Sequence, residues 1–223
     1  MASTFFGLHI GSSALSSFQV ATNTTANNIA NVKTTGYTRQ EATLQAKDAI
    51  NVTARYGSVG TGVTVTSIKQ QRDLYYDNKY WENNSCYGRY EQKLYYMEQI
   101  QNYFKDNGSS VKGFSSVFSQ MFSDLDTLRS KPSDKTVRNQ FISSAQSLCT
   151  YFNQMSDNLS KLQDDCNEEI RNNVDKINSI SEKISLLNKE INQIETGTGV
   201  EASSLRDERA NLIDSLSKIV TVS

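Results

Sequence analysis

The apolar positions of residues 8–29, taken together with Gly11, Thr22 and Thr25, form a stripe whose steps alternate between three and four residues, which is the period of one narrow face of an α-helix. The rest of this segment is rich in Ser, Thr and Asn, which have modest helix propensity. Because helix nucleation is costly and the face is weakly apolar, we expect the segment to be helical chiefly when it packs against a partner. The predicted face consists of Leu8, Leu15, Phe18 and Ile29.

The period changes after this helix. Asn31 can end the helix, because Asn tolerates left-handed backbone geometry, and Gly36 supplies a permissive backbone for the turn that follows. Residues 37–70 are rich in β-branched side chains, with valine and threonine alternating from Val63 onward, and glycines interrupt the run. This pattern predicts an extended arm or a small β-hairpin.

A helical period then returns and continues to the end of the chain. It predicts helices over residues 71–104, 114–128 and about 134–195. Ser133 or Asp134 can cap the third helix, because the side-chain oxygen of either residue can accept a hydrogen bond from a free backbone N–H group.

The strongest helical signal is an isoleucine-rich seam in the second half of that third helix. Its steps alternate between three and four residues, with Asn173 as the single polar member, and this is typical of two packed helices. A turn over residues 195–204 leads into an amphipathic stretch where Ser204 and Asp207 have the spacing of a capping box. The short connection favours an antiparallel helical hairpin over a homomeric coiled coil. The predicted seam comprises Ile170, Ile177, Ile180, Ile184, Leu187, Ile191, Ile194, Leu205, Leu212, Leu216 and Ile219.

Together these patterns predict a mainly α fold. It consists of an N-terminal helix, a short extended or β-hairpin arm, and an elongated bundle of long helices with an antiparallel coiled-coil hairpin. We divide the chain into a helical segment at residues 1–36 that is poorly ordered alone, a linker arm at 37–70, and a helical rod domain at 71–223 that is incomplete at its C-terminus.

Composition narrows the classes of function. The chain has 23 basic and 24 acidic residues, so no net field attracts nucleic acid or an anionic membrane. No stretch approaches the apolar length of a membrane span, and the N-terminus lacks the basic region of a Sec signal. The single histidine, His9, and three cysteines without CxxC spacing leave almost no material for a zinc site or for nucleophilic catalysis. We predict no catalytic residue, no metal and no cofactor, and unpaired thiols.

Five tyrosines fall within the first long helix of the C-terminal part. A stacking platform for single-stranded nucleic acid would also need a basic groove, which the near-neutral charge does not favour. We therefore interpret them as core and interface residues. They are Tyr87, Tyr90, Tyr95, Tyr96 and Tyr103.

Residues 26–40, ANNIANVKTTGYTRQ, resemble the signature of flagellar rod, hook and hook-associated proteins, in which an asparagine-rich helix end is followed by T-x-G-Y. The Arg39-Gln40 ending is similar to the hook-associated protein 1 family, as are residues 60–73, 130–148 and 205–220. Lys131 replaces the usual Asn before Pro132. The matching residues form the candidate assembly motif: Asn27, Asn28, Ile29, Ala30, Asn31, Thr35, Gly36, Tyr37, Arg39 and Gln40.

The resemblance implies a structural subunit at the junction of hook and filament, with no enzymatic activity. It implies export in the unfolded state through the flagellar type III apparatus, an extracellular location in the flagellum, and polymerisation with copies of itself. The implied partners are the hook protein, the next hook-associated protein and an export chaperone, with no nucleic acid and no membrane. The amides of the motif are expected to bond the backbones of neighbouring subunits.

Family members resemble hairpins in which a C-terminal helix returns to pack against the N-terminal one, and no such helix follows Ser223. We therefore expect residues 1–35 to be disordered in isolation or held by neighbours. A hook or distal-rod subunit is the alternative within the family. An intracellular coiled-coil adaptor or export chaperone is compatible with the seam alone, and a peptidoglycan hydrolase would need paired acidic residues in a cleft.

Overall fold

The computed structural model describes residues 5–51, 57–106 and 113–222. Its helices are α1 (Phe6–Ala30), α2 (Leu74–Tyr103), α3 (Phe114–Ser130), α4 (Lys135–Thr198) and α5 (Ser203–Ser217), and its strands are β1 (Gln40–Ala46), β2 (Ile50–Asn51), β3 (Ser58–Val59) and β4 (Val63–Gln70). The predicted mainly α fold class is confirmed. The chain forms two compact units, Met1–Ser85 with Ile177–Ser223 (the first unit) and Cys86–Lys176 (the second unit). The three-part division made from the sequence stays a prediction.

The end of α1 lies where the sequence predicts it, but the predicted left-handed geometry of Asn31 is wrong. Asn31 has φ −99° and ψ 9°, and its backbone N–H donates to the carbonyl of Asn27 at 3.0 Å. The backbone of Thr34 then donates to the carbonyl of Asn31 at 2.9 Å, so the chain turns without a positive φ at Asn31. The positive φ falls at Gly36, with a value of 77°, as the sequence predicts.

The predicted hairpin is present as two nested antiparallel pairs. Strand β1 pairs with β4 along its whole length, with an irregularity in register at Thr43/Leu44, and β2 pairs with β3. Helix α1 contacts both β1 and β4 through a face of small polar side chains. Ser17 and Thr24 on this face are buried, and the Ser17 hydroxyl donates to the carbonyl of Val63 at 3.2 Å.

In the second unit, α3 and α4 form an antiparallel pair. Asp134 caps α4, since its Oδ1 accepts from the backbone N–H of Thr136 at 2.8 Å. The ring of Phe114, at the start of α3, lies 5.9 Å from that of Phe152 in α4. Because the end of α3 leads into α4 through a short turn, this contact fixes opposite directions for the two helices.

In the first unit, α5 runs antiparallel to the last turns of α4. Arg206 contacts Glu195, whereas Arg209, further along α5, donates to Asn188, earlier in α4, at 2.9 Å. Within the predicted seam Leu187 and Ile191 are buried, whereas Ile170 and Ile194 are exposed. The other members are partly buried: Ile177, Ile180, Ile184, Leu205, Leu212, Leu216 and Ile219.

One finer prediction for this part of the chain is wrong. Ala202 is the N-cap residue of α5, and no side chain caps the helix, so Ser204 and Asp207 form no capping box. The carboxylate of Asp207 is instead engaged by Gln70 and by the backbone of Thr38. The tyrosines of α2 were predicted as core and interface residues. Tyr87, Tyr90 and Tyr95 are more than half exposed, so they are not core residues, and an interface role for them stays a prediction. Tyr96 and Tyr103 are partly buried.

Candidate assembly site

Asn28 closes the corner between α1 and β1. Its Nδ2 donates to the carbonyl of Gln40 at 2.8 Å, and its Oδ1 accepts from the backbone N–H of Gln40 at 2.9 Å. An adjacent antiparallel strand would make the same pair of bonds, so the side chain replaces a strand at this point of the β1 edge. The Tyr37 hydroxyl donates to the same Oδ1 at 2.8 Å.

The other two asparagines of the motif tie the end of α1 to the turn. Asn27 Nδ2 donates to the Tyr37 hydroxyl at 3.1 Å, and Asn31 Nδ2 donates to Asn27 Oδ1 at 2.9 Å. The Thr34 hydroxyl donates to Asn31 Oδ1 at 3.2 Å. The amides therefore bond groups of their own chain, where the sequence predicted bonds to the backbones of neighbouring subunits. The motif's part in assembly stays a prediction.

The remaining motif residues face outward. Ile29, Ala30 and Thr35 are exposed, and Arg39 makes an exposed ion pair with Glu41 at 3.4 Å. An ion pair so open to solvent contributes little to stability. The motif thus divides into an inner set around Asn28 that shapes the corner and an outer set available to other molecules.

The inner set meets α5, although the two segments are far apart in the sequence. Gly36 lies so close to Asn211 that a Cβ at Gly36 would be 1.8 Å from Asn211 Oδ1. The backbone N–H of Thr38 donates to Asp207 Oδ2 at 3.3 Å. Burial, and then the negative charge of Asp207, raises the pKa of Tyr37. Two of the segments that carry the family resemblance are therefore in direct contact.

Helix α5 is also fastened to the end of α4 by a bidentate ion pair. Arg206 Nε and Nη2 donate to the two carboxylate oxygens of Glu195 at 2.7 and 2.8 Å. The backbone N–H of Ala202 donates to Glu195 Oε1 at 3.1 Å. The hydrogen bonds from Arg206 are the main reason that the pKa of Glu195 falls to about 2.

The side of α5 that faces α2 carries a second polar contact. The Trp81 indole N–H donates to Asp214 Oδ1 at 2.7 Å, and Asn84 Nδ2 donates to the fully buried Ser217 hydroxyl at 2.9 Å. The sequence does not predict these contacts, because a polar position on a helix face carries no periodic signal that identifies its partner. The one signal in the sequence is Asp214, a charged residue between the apolar positions of α5, which indicates that this face has a polar partner.

In the second unit, one polar contact joins α2 to α4. The Tyr96 hydroxyl donates to the Glu169 carboxylate. This hydrogen bond is the main reason that the pKa of Tyr96 is raised well above its ordinary value. Tyr96 thus joins the two helices within this unit, whereas Tyr87 and Tyr90 on the same helix face solvent.

The predicted apolar face of α1 is open to solvent. Leu8, Leu15 and Ile29 are 69–71% exposed and Phe18 is 57% exposed, while the opposite face of the helix holds the hairpin. Near the C-terminal end of this helix, a groove of about 610 Å³ runs beside the start of β1. Its lining includes Ala21, Thr25, Ile29, Val32, Tyr37 and Ala42. The first unit therefore presents an apolar surface on a helix that its own chain already supports.

Within residues 5–51, 57–106 and 113–222, no cluster of three or more His, Cys, Asp or Glu side chains could hold a metal ion. None of the described helices combines the length and apolar character needed to cross a bilayer.

Replacing Asn28 with alanine is expected to lower the free energy of unfolding of the first unit by about 1 kcal/mol, because the backbone of Gln40 loses both of its partners. The measurement is urea unfolding followed by the fluorescence of Trp81, the single tryptophan. Asn23→Ala is the matched control, since Asn23 is an exposed asparagine of the same helix. Equal effects of the two substitutions would show that Asn28 does not hold the corner.

Both the N-terminal helix and the C-terminal helical part of the chain are similar to known protein families. Residues 97–223 match the family model described as Flagellar hook-associated protein FlgK helical domain, and residues 8–38 match Flagella basal body rod protein. The chain is 34% identical over 227 residues to flagellar hook-associated protein 1 of Bacillus subtilis, covering 100% of this chain and 44% of that protein. It is 33% identical over 217 residues to the protein of that name from Salmonella typhimurium, covering 94% of this chain and 37% of the relative.

The protein of the same name from Escherichia coli is 32% identical over 216 residues, covering 94% of this chain and 38% of that relative. The chain thus spans less than half the length of the curated relatives it matches. The family model for the helical domain covers more than half of the chain, including the α5 segment that holds the corner at Gly36. This chain belongs to the flagellar hook-associated protein 1 family.

Proposed function

We propose that this chain is a structural, non-enzymatic subunit of the bacterial flagellum at the junction of hook and filament, where it polymerises through its N-terminal helix and supports filament assembly. Its partners are further copies of itself, the hook protein, the next hook-associated protein and a flagellar export chaperone. It reaches the outside of the cell by flagellar type III export. Neither nucleic acid nor membrane is a partner.

The observation that carries this proposal is the exposed face of α1. Leu8, Leu15 and Phe18 stand in solvent on a helix whose other side is packed on β1 and β4. Burying each large apolar side chain contributes about 1.5–3 kcal/mol, so a neighbour that covers this face supplies enough free energy to order the N-terminal segment. We therefore propose that residues 1–36, whose helix α1 already packs on β1 and β4, gain further order on assembly.

The contacts of the motif support two separate roles for its inner and outer residues. Asn28 and Gly36 fix the angle between α1 and the hairpin, and α5 holds the hairpin through the hydrogen bond from Gln70 to Asp207. Assembly then uses the outward residues, namely the apolar face of α1 and the exposed part of the motif at Ile29 and Arg39.

The test is the double substitution Leu15→Ser/Phe18→Ser in the protein of the bacterium that carries it. We expect the variant to be exported but absent from sheared hooks, with filaments lost and swimming abolished, because the polar face no longer gains free energy on burial. Antibody labelling of hook preparations and electron microscopy measure this. Ser16→Ala/Gln19→Ala, on exposed polar positions of the same turns, is the matched control.

The same experiment separates the alternatives. Normal incorporation of the double variant into hooks would refute assembly through α1. A hook or distal-rod subunit would label the body of the hook or the rod, whereas a junction subunit labels the distal end of the hook. An intracellular adaptor or export chaperone would remain in the cell. The match of residues 97–223 to a hook-associated helical domain favours the junction over the rod.

A further inference from the structure

Strand β1 has one open edge. Its other edge is paired with β4, and the backbone of Arg39 at one end and of Lys47 at the other both hydrogen-bond toward the β4 side. Because alternate residues of an antiparallel strand direct their backbone groups to the same side, the N–H and C=O groups of Ala42, Leu44 and Ala46 point away from β4. Within the described ranges, no residue hydrogen-bonds to these three.

Asn28 sets one limit of this open edge. Gln40 also directs its backbone groups away from β4, but the Asn28 amide occupies both of them. An added strand can therefore pair with Ala42 through Ala46 and no further toward Gln40. The groove of about 610 Å³ beside Ala42 leaves space next to this end of the open edge.

We propose that the open edge of β1 pairs with the β1 edge of a second copy of this chain, in antiparallel orientation, with Leu44 opposite Leu44 of the second copy. In this register Ala42 lies opposite Ala46 of the second copy, so the three free residues of each strand pair with the three of the other. The added strand satisfies all six free backbone groups on each side. This mode of recognition is addition of a strand to an exposed sheet edge.

Charge complementarity selects this register and this occupant. Glu41 stands opposite Lys47 of the second copy, and Lys47 opposite Glu41 of the second copy, so two opposite-charge pairs flank the apolar centre. A register with Ala42 opposite Leu44 would instead place Lys47 opposite Arg39, which is a like-charge pair. The exposed ion pair of Glu41 with Arg39 within the chain is weak and does not prevent the intermolecular pair.

The symmetry of the contact indicates whether it forms in the free protein or in an assembly. A two-fold contact joins two copies in opposite directions, whereas an axial structure repeats subunits that all point the same way. The paired edge therefore belongs to the free protein and must open when the chain enters an assembly. Only this assignment to the free protein rests on the function proposed above; the pairing of the two β1 edges does not, so each proposal can fail without the other.

Sedimentation velocity of the purified chain over a range of concentrations tests the proposal. We expect a concentration-dependent dimer, and we expect Glu41→Lys or Lys47→Glu alone to raise its dissociation constant roughly tenfold, because each reversal makes two like-charge pairs. The double variant Glu41→Lys/Lys47→Glu is expected to restore the dimer. A chain that stays monomeric, or a dimer that is indifferent to Glu41→Lys, would overturn the proposal.

A cross-link tests the register. Cys86, Cys149 and Cys166 are free thiols and are replaced with serine, and Leu44→Cys is then oxidised with oxidised glutathione. We expect a disulfide-linked dimer, since directly opposite residues have Cβ atoms about 5 Å apart, close to disulfide geometry. Thr43→Cys is the matched control and is expected not to cross-link, because Thr43 faces Gln45 of the second copy. Equal cross-linking at the two positions would reject this register and the pairing built on it.

Discussion

Replacing Gly36 with alanine is expected to lower the free energy of unfolding of the first unit by about 3–4 kcal/mol. The φ of 77° at Gly36 lies in the region where a side chain is strained. The new Cβ would also lie 1.8 Å from the side chain of Asn211, so either α5 or the turn must shift. Such a shift would disturb the hydrogen bond from Thr38 to Asp207 as well.

Urea unfolding followed by Trp81 fluorescence measures this effect, because Trp81 is hydrogen-bonded to α5 through Asp214. Gly199→Ala is the matched control: Gly199 has a φ of 67°, but a Cβ added there would meet no other atom within 4 Å, so this substitution reports strain alone. Adding Asn211→Ala to Gly36→Ala is expected to recover part of the loss. If Gly36→Ala cost no more than Gly199→Ala, the close contact between the turn and α5 would be unimportant.

The helices could be predicted from the sequence because their signals are local. The 3-4 spacing of apolar positions and the interruptions at residues 106–113 and at Pro132 set the limits of α2, α3 and α4 within a few residues of those observed. Asp134 offered a cap that the structure uses. The hairpin followed in the same way from β-branched alternation and glycines.

Local spacing failed where a polar side chain had two possible uses. Ser204 and Asp207 have the spacing of a capping box, but Asp207 accepts from Gln70 and Thr38 instead. Thr38 and Asp207 are 169 residues apart, and the sequence of neither segment indicates that the two are in contact. The role of the carboxylate therefore depended on the packing of α5, which the sequence pattern does not fix.

The candidate site was predicted from the resemblance of residues 26–40 to a family signature, but the hydrogen bonds of each amide were not predicted. An asparagine side chain can bond any nearby donor or acceptor, and Asn28 finds the backbone of Gln40 twelve residues away. The apolar face of α1 is the converse case. Periodicity identified Leu8, Leu15 and Phe18 as one face, and their exposure shows that the hairpin does not cover this face.

The tyrosines of α2 show why periodicity cannot distinguish a core position from an exposed one. Tyr87, Tyr90 and Leu94 follow helical spacing as well as the isoleucines of α4 do, and they are more than half exposed. Burial depends on whether another element lies against the face. In α4, Leu187 and Ile191 are buried in the part of the helix that α5 contacts.

Replacing Glu195 with glutamine is expected to lower the free energy of unfolding of the first unit by about 2 kcal/mol at neutral pH, because two charge-assisted hydrogen bonds from Arg206 are weakened or lost. Urea unfolding followed by Trp81 fluorescence is again the measurement. Glu190→Gln is the matched control, since Glu190 is exposed on the same helix. The ion pair closes the connection between α4 and α5, so its loss also loosens the support of the corner at Gly36.

The effect of Glu195→Gln has a sign that depends on pH. The pKa of Glu195 is lowered from 4.5 to about 2 in the folded chain, so its carboxylate contributes stability that is complete above pH 4.5. As the pH falls from 4.5 toward 2, the unfolded chain takes up a proton before the folded chain does, and the contribution is lost. The stability difference between the parent and Glu195→Gln should therefore be constant above pH 4.5 and shrink toward zero near pH 2. A difference that stayed constant down to pH 2 would mean that Glu195 acts through its shape and neutral hydrogen bonds, and that its charge does not fasten α5 to α4.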